Sequence, residues 1–167
     1  MPLIEQGEIV ADAWVEVADD AALPAEGGAI ISLARRIAEA ETLRGRNQPL
    51  GVRIPPATRA EALAEHLDGV QLVVVDFPKF RDGRGFTVAR DLKERFGFKG
   101  VVRAVGHVLP DQYGFLVRCG VDQVVIPEGA KVETWRAALD SFTGAYQTSV
   151  GDDRPLSPLK RLLNKAG

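Results

Sequence analysis

The chain has 167 residues, 46% of them hydrophobic, and a formal net charge of −2. That is enough to bury one sizeable core, and too close to neutral for a nucleic-acid or membrane-surface binder. The single cysteine, Cys119, excludes an internal disulfide and any cysteine-cluster zinc or iron–sulfur site, no apolar run reaches the roughly 18 residues of a membrane span, and the acidic start lacks signal-peptide character, so a soluble cytoplasmic protein is expected.

Leu3-Ile4, Ile9-Val10 and Trp14-Val15-Glu16-Val17, arranged around a Gly7 turn, predict a short antiparallel β appendage, and Pro24 to Gly28 reads as a linker, so residues 1–28 form one unit. Residues 29–146 then alternate strand and helix patterns. A strand over Ala29–Leu33 precedes a helix near Ala34–Arg44. Leu50–Ile54 is a second strand, followed by a helix to Leu67 that Thr58 and Glu61 should open as a capping box. The apolar run Leu72–Asp76 predicts a third strand buried on both faces, with a helix over Phe86–Phe96 that Gly97 stops. Val101–Val105, a helix from Pro110 to Cys119, the strand Asp122–Ile126 and a helix over Val132–Tyr146 complete the series. Five such units predict an α/β domain with a five-stranded parallel sheet and helices on both faces, flavodoxin-like; a partial (βα) barrel shares the same local pattern. Residues 147–167 read as a loose tail carrying a short amphipathic helix around Leu156, Leu159, Leu162 and Leu163.

Charge is distributed unevenly. Residues 1–30 hold seven acids and no Lys or Arg, whereas residues 79–103 hold eight bases against Asp82, Asp91 and Glu94. The densest part is the loop after the third strand. Lys79, Arg81 and Arg84 supply cations there, Gly83 and Gly85 permit backbone amides to turn toward a ligand, and the next helix presents its positive end. With Arg103 on the neighbouring strand, these residues are candidates for binding a small oxyanion or an acidic partner. Asp76 ends a buried strand and His107 follows the next one, which makes the two of them candidates for acid/base work, with Asp111 placed to orient the imidazole. No phosphate-loop, dinucleotide or nucleophile-elbow motif is present, two separated histidines do not make a metal site, and no cofactor is indicated.

Two resemblances follow from these residues. Leu72–Pro78, with Gly83 and a helix behind it, and Arg118–Pro127 resemble the receiver domains of response regulators, which implies a flavodoxin-like sheet and, functionally, a degenerate receiver-like interaction module. The acidic pair, the hydroxyl residue and the lysine of working receivers are replaced by Ile31-Ser32-Leu33-Ala34, Ala104-Val105 and Ile126. The string Asp76–Gly97, continuing through Ala104–Gln112 to Arg118–Asp122, resembles a bacterial family of uncharacterised proteins described as probable oxidoreductases involved in sulfite reduction. That resemblance implies an accessory role in assimilatory sulfite reduction, with sulfite reductase or another sulfur-assimilation enzyme as partner. An enzyme acting on a phosphorylated or sulfated small molecule is the alternative.

Overall fold

The computed structural model describes residues 1–79 and 81–140. The expected end of the last helix and the whole 147–167 tail lie outside them. Eight strands form one sheet: β1 (Leu3–Glu5), β2 (Glu8–Val10), β3 (Trp14–Glu16), β4 (Gly28–Ser32), β5 (Leu50–Ile54), β6 (Val70–Phe77), β7 (Val101–Gly106) and β8 (Gln123–Val125). Among the described residues six α-helices accompany them, α1 (Leu33–Ala38), α2 (Ala40–Leu43), α3 (Ala60–Ala64), α4 (Arg84–Glu94), α5 (Tyr113–Arg118) and α6 (Val132–Asp140), with a 3₁₀ turn at Pro110–Gln112.

The α/β class is as expected; the sheet is not. Its order is β2-β1-β8-β7-β6-β5-β4-β3, so β3 to β8 lie side by side in chain order, all parallel, while β1 is antiparallel to both β2 and β8. Unreversed order is that of a βα barrel. The flavodoxin-like order instead reverses at a switch point. The reversal is also what places helices on two faces. Here every crossover moves the same way, and one core cluster joins α1, α3, α4, α5 and α6 to Val52, Ile54, Val73, Val75, Val102, Ala104 and Val124 of the strands. All those strand residues share one parity, so the helices cover one face only.

The three N-terminal strands account for the difference from five. Their apolar pieces match expectation, but β1 pairs onto β8 and carries β2 outside it, whereas β3 pairs onto β4, so they form the two edges of the sheet instead of a separate appendage. Ala11-Asp12-Ala13 alone connects those edges. Three residues bridge at most about 14 Å, whereas eight strands laid flat would separate the edges by roughly 33 Å. The sheet therefore curls until its ends approach each other. The concave face holds Trp14 against Ile30, Leu72, Val74, Val101 and Val105.

Locally, α3 begins later than the capping-box pattern predicts. The Thr58 amide instead closes a turn on the Pro55 carbonyl, and Glu61 is drawn to Arg95, just past the end of α4. The helix expected over Ala34–Arg44 divides at Glu39 into α1 and α2. Cys119 is buried, and burial pushes its thiol up from the usual value, as suits a packing residue. No helix among the described residues is long and apolar enough to cross a membrane.

Candidate functional site

Alternation along the strands decides which polar groups reach the concave face. Val52 and Ile54 pack under the helices, so Arg53 between them points the other way; Val75 and Phe77 do the same for Asp76. At the C-terminal ends of β3 to β6 these two residues meet Glu16. Arg53 Nε donates to Asp76 Oδ2 at 2.9 Å and Nη2 to Oδ1 at 2.7 Å, while Nη1 donates to Glu16. The hydrogen bond to Asp76 raises the Arg53 pKa above its ordinary value, so this cation is fixed.

Around the trio lies a cavity of about 340 Å³, lined also by Asp19, Ser32 and Pro55. Ser32 Oγ is occupied as the cap of α1, accepting from the Arg35 amide at 3.0 Å. Arg35 in turn reaches back to the Ala18 and Ala21 carbonyls and holds the chain that carries Asp19. Glu16, Asp19 and Asp76 outnumber Arg53, so this mouth favours hydroxyl or cationic groups over a free oxyanion.

The remaining candidates are dispersed. Lys79 and Arg81 stand exposed on the loop that leaves β6 at this rim. Arg84 turns to Asp82, with Nε–Oδ1 at 2.8 Å, and lines a different cavity with Thr58 and Glu61 between α3 and α4. Asp82 also accepts from the Arg84 amide at 3.2 Å, so a carboxylate of the chain itself sits at the start of α4, where an anion was expected. Its bonds to the Arg84 side chain and amide hold its pKa low, at about 2.

The two glycines differ in their surroundings. Gly83 has an ordinary φ of −78°, and Gly85 is buried so close under the Phe77 ring that a Cβ there would come within 2.5 Å of it. Arg103 lies on the concave face, 3% exposed, with both Nη atoms on Asp12 at 2.9 Å and further bonds to Gln123, which donates to Glu5. His107 is exposed; its amide donates to the Phe77 carbonyl at 2.7 Å, and its side chain does not line the mouth. Gly106, at φ +99°, makes that turn possible, since a Cβ would meet the Phe77 carbonyl at 2.5 Å.

Asp76 is thus joined to Arg53 and Glu16, neither of which stood among the residues expected at a site. A signal was available: a lone arginine inside Leu50-Gly-Val-Arg-Ile marks the face opposite to its apolar neighbours. The identity of its partners needed the strand order. Among the described residues no group of three or more His, Cys, Asp or Glu is placed to hold a metal ion.

Residues 51–157 match a family model described as a bacterial protein of unknown function (DUF934). No curated protein matches the chain.

Proposed function

The chain belongs to this bacterial family of unknown function, and on that premise we propose that it is an accessory protein of assimilatory sulfite reduction, docking on the acidic face of a sulfur-assimilation enzyme through the rim loop. The pathway comes from the resemblance carried by the Asp76–Gly97 string. The observation that favours docking over capture of a free oxyanion is the outward placement of Lys79 and Arg81 beside a mouth whose own arginine already holds two carboxylates.

Several other bases of the stretch are tied to carboxylates, while Lys99 is exposed as well. Arg84 pairs with Asp82, Arg90 with Glu94, Lys93 with Asp122, and Arg95 with Glu61 and Asp91. Acid/base work by Asp76 and His107 has less support. Both Asp76 oxygens already accept from Arg53, and His107 is not among the residues that line the cavity.

Charge reversal is the test. The full chain, tagged, should retain sulfite reductase from a lysate at low salt, and Lys79→Glu with Arg81→Glu should reduce capture at least tenfold, as should half-molar salt. Growth with sulfate as sole sulfur source should slow in parallel. Equal capture by wild type and variant, or no capture by either, removes the proposal.

A further inference from the structure

The concave-face arginines are satisfied by carboxylates, but a second set at the opposite end of the sheet is not. Arg36 of α1 is buried, 7% exposed, and among the described residues its hydrogen bonding is limited to Nη2, which donates to the Asp68 carbonyl at 3.0 Å. Its Nε and Nη1 meet no acceptor there. Arg46, on the loop before β5, repeats the pattern: Nη2 donates to the Pro24 carbonyl at 2.9 Å, and the buried Nε is unpartnered.

Both side chains line one cavity of about 350 Å³ at the N-terminal ends of β5 and β6, with Arg44 beside them. Glu65 and Asp68 line it too, yet among the described residues neither carboxylate forms an ion pair with these arginines. Buried donors in native proteins almost always have partners, and unpaired ones mark the place of a missing water or ion. A guanidinium cannot avoid the cost by losing its proton, as a lysine could.

We propose that this cavity binds a small oxyanion of the sulfate and phosphate class, seated between Arg36 and Arg46. Nε and Nη1 of Arg36 and Nε of Arg46 carry four N–H groups that have no acceptor among the described residues and are covered in the empty site, so the anion reaches them as the two lining side chains turn toward it. Arg44, tied to Glu41 at 3.0 Å and largely exposed, forms the outer wall. The site lies at the end of the strands away from the mouth and does not depend on the docking role proposed above.

Thermal unfolding and calorimetry of the full chain test it, with sodium sulfate, phosphate and sulfite each compared against chloride at matched ionic strength; the three arms distinguish which oxyanion is preferred. At saturating concentration the best of them should raise Tm by about 5 °C. Arg36→Met should abolish that shift, and Arg46→Ala, on a loop and so safer for folding, should weaken binding about tenfold. Arg53→Met at the mouth should leave the shift intact. The proposal falls if no oxyanion outperforms chloride, if Arg46→Ala and Arg36→Met both respond as wild type does, or if Arg53→Met is the substitution that abolishes the effect.

Discussion

Arg53 and Arg103 lie on β5 and β7, strands whose apolar neighbours face the helices, and each is therefore committed to the concave face. Burying such a charge is tolerable only when it is paired and hydrogen-bonded. The acids that do this are Asp12, in the β2–β3 connection, for Arg103, with Glu5 behind Gln123, and Asp76 of β6 together with Glu16 of β3 for Arg53. Removing one member of such a pair leaves the other uncompensated, which costs more than removing both. Asp12→Ala should destabilise the protein by about 3 kcal/mol, because Arg103 stays buried without its counter-charge. Adding Arg103→Met to Asp12→Ala should recover most of that loss. Urea unfolding of the two variants checks the order, and a double variant less stable than Asp12→Ala would contradict it. The contrast between an acidic first thirty residues and the arginines further on was legible in the sequence. That the acids neutralise arginines inside the curled sheet was not, since it depends on β1 and β3 joining opposite edges.

Among the elements, the β6–α4 step shows how much a local pattern conveys. The buried run of β6, the amphipathic α4 and the stop at Gly97 were readable from periodicity, because each is fixed by contacts close in sequence. The roles of the two glycines between them were not, since Gly-x-Gly reads equally well as an anion cradle or as close packing. Their surroundings separate the two. A Cβ at Gly83 meets nothing within 4 Å, while one at Gly85 runs into Phe77, whose ring is also held edge-on by Phe86 at 5.2 Å. Gly83→Ala should accordingly be neutral or stabilise by up to about 1 kcal/mol, through the unfolded chain. Gly85→Ala gains about 1 kcal/mol of helix propensity but must push α4 off β6, an overpacking cost of about 1–3 kcal/mol, so the net effect should be destabilising. Denaturant midpoints with unchanged slopes would show this; similar behaviour of the two variants would mean that Phe77 yields.

At the scale of the whole molecule, the family match begins at Gly51, inside β5, yet the sheet does not begin there. Cutting the chain at that point removes four strands. β5 would lose β4 along one edge and β8 would lose β1, so two rows of backbone donors and acceptors would be exposed at once. Arg53 and Arg103 would lose Glu16 and Asp12 together. Trp14 would be absent from the concave face, leaving Leu72, Val74, Val101 and Val105 facing water. The buried Tyr113 hydroxyl would also lose the Gly7 amide that donates to it at 2.9 Å. Net stabilities of domains this size are about 5–15 kcal/mol, and several losses of a few kcal/mol each exceed that margin. Residues 51–140 produced alone should therefore lack a cooperative thermal transition and show collapsed amide dispersion, whereas residues 1–140 retain both. Mixing the fragment with a separately produced 1–50 piece should restore part of the transition, because the missing edges and acids arrive together. A fragment 51–140 that unfolds cooperatively by itself would mean that the N-terminal strands decorate the sheet instead of completing it. Arg103 would then be tolerated on the concave face without Asp12, and neutralisation by that N-terminal acid could not be what holds it there.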